Sequence, residues 1–109
     1  MSFKHTTLAQ GRWQKLSLVE QMGNIGSEVN RAANSQNKNE KLFWGAIERA
    51  FELLDFTIID LRWRKRLKEI VRVRECLGDA IFGGKEYGAT LKNLEQYFFQ
   101  FALAARINK

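Results

Sequence analysis

Between Leu18 and Ala32 the chain sets Leu18, Met22, Ile25, Val29 and Ala32 at alternating steps of four and three. An α-helix turns once every 3.6 residues, so this spacing gathers all five on one face. Ser17 stands just ahead of the run, three residues before Glu20. The pair reads as a capping box, in which hydroxyl and carboxylate each accept a backbone N–H that the first turn leaves unpaired. The 109 residues contain no proline, so nothing forces a break inside this or any later periodic run. A chain patterned this way is expected to be all-α.

The remaining runs agree. "NSQNKN" (Asn34 to Asn39) is a loop of polar residues that favour caps and turns. After it, Leu42, Phe43, Ala46, Ala50, Leu53, Leu54, Thr57, Ile58 and Leu61 cover an apolar arc wide enough for a central helix. Leu67, Ile70, Val71, Leu77 and Ile81 mark a third helix that Gly83–Gly84 stops. Leu91, Leu94, Phe98, Phe101 and Ala105 mark a fourth. The predicted helices span about 17–33, 40–61, 64–82 and 89–107, with 1–16 as an irregular arm in which Phe3, Leu8, Trp13 and Leu16 are candidates to pin it down. Short links between four helices imply an antiparallel up-down four-helix bundle, built as one domain over 1–109. Whether helices two and three are separate or one bent rod is open at this level. Gly23 and Gly26 inside the first helix each cost about 1 kcal/mol relative to alanine, either offset by close approach of a second helix or left as local weakness.

Composition narrows the function classes. No window approaches the roughly 20 uninterrupted apolar residues of a membrane span, and the N-terminus lacks the apolar core of a secretory signal. One cysteine, Cys76, excludes an intrachain disulfide. A cytoplasmic, non-membrane protein is expected. His5 is the sole histidine, so a histidine-based triad or the Glu-x-x-His pairs of di-iron bundles cannot be assembled. Glu48/Glu52 and Asp55/Asp60 read most simply as a solvated face, and Cys76 as a small packing residue. No phosphate-cradling glycine loop occurs. Neither catalysis nor a cofactor or metal is expected.

The charge is local. Residues 1–61 carry seven Lys/Arg and seven Asp/Glu, whereas residues 62–109 carry eleven against five, which accounts for the whole net +6. Most of it lies in "RWRKRLKEIVRVRE", where Arg62, Arg64, Lys65, Arg66, Lys68, Arg72 and Arg74 face only Glu69 before Glu75. On a helix, Arg64, Lys68 and Arg72 stack in one row with Lys65 alongside. Such a row suits successive phosphates of RNA or DNA, with binding that weakens steeply as salt rises. Trp63 among these arginines either stacks on a base or anchors the helix start in the core. The plainer reading has the cations solvated or paired with acids of helix two, for which Glu48, Glu52 and Asp55 are available. A further alternative has the basic face meet an acidic partner protein, the chain being an oligomeric interaction or scaffold module. In "YFFQF", Phe98 and Phe101 belong to the core stripe, and Tyr97 or Phe99 is left for an oligomer interface.

"LSLVEQMGNIGSEVNRA" (Leu16 to Ala32) and "FWGAIERAFELLDFTI" (Phe43 to Ile58) resemble segments of a family of small four-helix proteins. These are the proteins encoded in intervening sequences of bacterial large-subunit ribosomal RNA genes, with the accessory variability determinant proteins of diversity-generating retroelements. The residues that carry the likeness are Gln21, Asn24, Ile25, Glu28 and Arg31, over about half the chain. The resemblance implies a four-helix bundle in a ring-like homo-oligomer, commonly a pentamer, whose basic surface binds nucleic acid. In the retroelement branch it implies a reverse transcriptase as partner.

Overall fold

The computed structural model describes residues 11–83 and 88–107. Among them the regular structure is entirely helical: α1 (Leu18–Ser35), α2 (Glu40–Ile58), a 3₁₀ segment (Leu61–Arg66), α3 (Leu67–Ile81) and α4 (Leu91–Ile107). Each start has a side-chain reason where a cap is present. The Ser17 hydroxyl accepts from the Glu20 N–H, and the Glu20 carboxylate accepts from the Ser17 N–H, so the expected capping box forms. Asn39 accepts from the Leu42 N–H at the head of α2. Thr90 accepts from the Asn93 N–H ahead of α4. Between α1 and α2 the chain turns through Asn37 at φ 64°, a left-handed conformation that asparagine tolerates. Past α3, Gly83 adopts φ 109°, which only glycine takes without strain.

The core is one apolar cluster fed by every helix. Met22, Ile25, Val29 and Ala32 from α1 meet Ala46, Ala50, Leu54 and Phe56 from α2, Ile70, Val73 and Leu77 from α3, and Leu94 and Phe98 from α4. The five-residue stripe of α1 is buried as its spacing requires. α1 packs most extensively, against both α2 and α4. Along the α1–α4 seam, a Cβ at Gly23 would stand 3.5 Å from Ala102, and one at Gly26 would stand 2.5 Å from the Cβ of Phe98. Of the two explanations for glycine inside α1, close helix approach therefore holds at Gly26. The same contacts show α4 running opposite to α1, since the earlier glycine meets the later residue.

Three expectations shift. Helices two and three are separate, and α2 stops at Ile58 rather than 61; Leu61 is 77% exposed and takes no part in the apolar arc. Residues 64–66 belong to the 3₁₀ segment, and α3 begins at Leu67. Asp60 is the physical cause, because its carboxylate accepts from the Arg62 N–H and caps a new segment before α2 can continue. The break resets the helical phase, so Ile70, Val73 and Leu77 are the buried positions of α3 while Val71 is only partly covered. The third shift concerns the lead-in: residues 11–13 are helical, and Trp13 is buried in the core while Leu16 packs partly against it. Phe3, His5 and Leu8 lie outside the described residues.

Candidate functional site

The corner between α2 and α3 is organised by a buried polar cluster. Gln21 is fully buried on α1. Its Nε2 donates to the Trp13 carbonyl at 2.8 Å and to Asp60 Oδ2 at 3.4 Å, while its Oε1 accepts from Trp63 Nε1 at 2.9 Å. Trp13 Nε1 donates to Thr57 Oγ1 at 2.9 Å, and the Thr57 hydroxyl donates to the Leu53 carbonyl. Among the described residues no buried side-chain polar atom lacks a partner. A satisfied network of this kind fixes geometry, because any alternative packing leaves a donor or acceptor bare. It holds the lead-in, α1, the end of α2 and the 3₁₀ segment in one arrangement.

Three of the seven basic residues are absorbed into the structure. Arg62 grips the Asp60 carboxylate through Nε and Nη2, donates to the Leu16 carbonyl at 2.8 Å, and lies 4.4 Å from the Trp63 ring centroid. Its guanidinium holds the Asp60 carboxyl below the usual carboxylate range against the opposing effect of burial. Arg66 pairs with Glu69 at 2.7 Å. Glu69 also accepts from the Tyr97 hydroxyl at 2.8 Å. Burial works to raise the Glu69 carboxyl, but these two donors lower it overall. For Tyr97, burial and the Glu69 carboxylate push the hydroxyl up, keeping it protonated. Arg74 pairs with Asp55 at 2.7 Å and lies 4.9 Å from the Phe51 ring centroid. The expected pairing with acids of helix two is thus realised at Asp55.

The side chains of Arg64, Lys65 and Lys68 are exposed and make no hydrogen bond or ion pair with a described residue. Arg72 is exposed one turn beyond Lys68 on α3. The helical row expected through Arg64, Lys68 and Arg72 is divided, since Arg64 precedes α3 on the tighter 3₁₀ segment and only Lys68 and Arg72 keep the i,i+4 relation. Arg64 to Lys68 covers about 6–8 Å of helix axis at 1.5–2.0 Å per residue. Of the two roles open to Trp63, anchoring holds: one face carries Arg62 and its N–H is bound to Gln21. Ile59 and Leu61, just ahead of the basic run in sequence, are exposed.

Asp60, expected on a solvated face, is instead buried and organises this corner. The available signal was an aspartate two residues ahead of an arginine within an apolar arc, a short polar side chain placed to form a local cap. Cys76 is partly buried, and burial pushes its thiol up, which disfavours the nucleophilic thiolate. Among the described residues no group of three or more His, Cys, Asp or Glu could hold a metal, and no helix is long and apolar enough to cross a membrane.

Fold and surface define a small all-helical protein with a cationic corner at the α2–α3 junction. Compared with known family models, characterised proteins and solved structures, the chain matches none.

Proposed function

We propose that this chain is a non-enzymatic accessory protein that binds nucleic acid by phosphate contacts from Arg64, Lys65 and Lys68, with Arg72 adjoining. In this reading the four α-helices form an up-down antiparallel bundle that works in the cytoplasm as a homo-oligomer. The family resemblance would make that a pentameric ring, with a reverse transcriptase as partner in the retroelement branch. One observation carries the binding reading. Arg62, Arg66 and Arg74 are tied to acids while three intervening cations stay unengaged in solvent. Side chains that do no work in the fold remain free to displace counterions from a phosphate backbone. Trp63 carries Arg62 and packs against the core, so the corner offers phosphate contacts, which carry little sequence preference.

Fluorescence anisotropy with labelled RNA and duplex DNA tests this. Three phosphate contacts give a log–log salt slope of about −2.7 on duplex, so affinity should fall about fortyfold between roughly 50 and 200 mM salt. The triple variant Arg64→Glu, Lys65→Glu, Lys68→Glu should abolish binding while circular dichroism stays helical. Absence of salt-sensitive binding at micromolar protein, or binding unchanged in the triple variant, overturns the proposal. A second reading has its own observation: Ile59 and Leu61, just ahead of the basic run in sequence, are exposed, which fits an acidic and partly apolar protein surface. It predicts retained affinity for a partner protein, lost on Leu61→Asp, with none for nucleic acid.

A further inference from the structure

A groove of about 510 Å³ runs along the α1–α4 seam, on a different part of the molecule from the cationic corner. Gly23 and Gly26 of α1 and Ala102 of α4 line its floor, and Phe99 of α4 stands in it 59% exposed. Glu95 and Arg106 line it toward opposite ends of α4. Glu95, Phe99, Ala102 and Arg106 follow one another at steps of four, three and four, so they form a single helical stripe. In order they are an acid, a large ring, a small residue and a base. That order is complementary to its own reverse.

We infer that this groove is the seat of a second copy of the same chain, paired α4 against α4 in antiparallel fashion about a two-fold axis between residues 100 and 101. In that register each Phe99 meets the partner's small floor at Ala102, with Gly23 and Gly26 below it. Each Glu95 meets an arginine at position 106. The match occurs twice by symmetry, as an isologous contact requires. Lys92, the other cation lining the groove, falls at the rim beyond the paired charges. Leu103, exposed one turn after Phe99, would be covered by the same contact. A single helix pair lies at the small end of stable interfaces, so association is expected at about micromolar concentrations. An isologous contact closes at two copies, unlike a pentameric ring.

The inference is independent of nucleic-acid binding, because none of its residues belongs to the corner at Arg64, Lys65 and Lys68. Analytical ultracentrifugation at tens of micromolar should give twice the 12.7 kDa chain mass, with dissociation on dilution. Arg106→Glu alone and Glu95→Arg alone should each weaken pairing by about tenfold or more, since each sets like charges together at both ends. The double variant Glu95→Arg, Arg106→Glu should restore it to within about threefold of the original, because the swapped charges still meet. Phe99→Ala should give monomer with helical circular dichroism intact. A chain that stays monomeric, a mass of five copies, or a double variant no better than its parents overturns the inference.

Discussion

The molecule holds α1 in place by two unlike means. At its N-terminal end, Gln21 joins Trp13, Asp60 and Trp63 through directional hydrogen bonds in a buried site. Along the α4 seam the contact is steric, with the backbone of α1 drawn close to Phe98 because Gly26 has no side chain. The polar clasp is specific in partners and the seam is specific in distance. A clasp fails by leaving atoms unsatisfied, whereas a seam fails by being pushed apart, and these failures differ in size.

The largest expected effect comes from the clasp. Gln21→Leu keeps the volume but strips the acceptor from Trp63 Nε1 and the donors from the Trp13 carbonyl and Asp60. Asp60 keeps Arg62 and the Trp13 carbonyl keeps the Leu16 N–H, so only Trp63 Nε1 is left bare; three lost hydrogen bonds at about 1 kcal/mol each make the loss about 3 kcal/mol. It should appear in urea unfolding as a lower midpoint at unchanged slope. The seam comes next. Gly26→Ala puts a methyl 2.5 Å from the Phe98 Cβ, which is fixed to the α4 backbone and cannot rotate away. Overpacking costs about 1–3 kcal/mol, partly offset by roughly 1 kcal/mol of helix propensity, for a net loss of about 1–2 kcal/mol. A Gly26→Ala chain less stable than Gln21→Leu would reverse the ranking of the two devices.

The same contrast explains what could be read in advance. The stripe from Leu18 to Ala32 and the Ser17–Glu20 cap were legible because both depend on spacing within one helix. Leu61 was misplaced because periodicity extrapolates, and nothing periodic announces that Asp60 ends the register. Trp63 carried two readings until Gln21, 42 residues away, was seen to take its N–H. Arg66 and Glu69 lie three apart, so their pairing was readable in principle, whereas Arg74 finds Asp55 across the break. Position in sequence therefore located the positive charge, but only tertiary placement separated the bound cations from Arg64, Lys65 and Lys68.

Acid should loosen the clasp while leaving the seam alone. Arg62 holds the Asp60 carboxyl below its ordinary value of 3.8, so the folded chain takes up this proton less readily than the unfolded one. The resulting stability is present above that value and is lost as pH falls through the lower folded-state pKa. Asp60→Asn removes the titration, so its melting temperature should fall less steeply than that of the unaltered chain between about pH 5 and pH 2. Glu69 is shifted in the same direction and remains in the variant, so the curve flattens without becoming level. Parallel curves for the two chains would mean that the Asp60–Arg62 pair contributes nothing to folding.

The smallest effect carries the opposite sign. Gly23 lies on the same seam as Gly26, yet a Cβ there would stand 3.5 Å from Ala102, an ordinary contact distance. Nothing need move to admit it, and alanine is worth up to about 1 kcal/mol over glycine inside a helix. Gly23→Ala should therefore stabilise the fold by about 0.5 kcal/mol. The measurement belongs in the R106E background, where pairing through the groove does not add to the result. Destabilisation would mean that α1 and α4 are held at a fixed distance over two turns. Stabilisation beside a destabilised Gly26→Ala would confine the steric requirement to the single turn that faces Phe98.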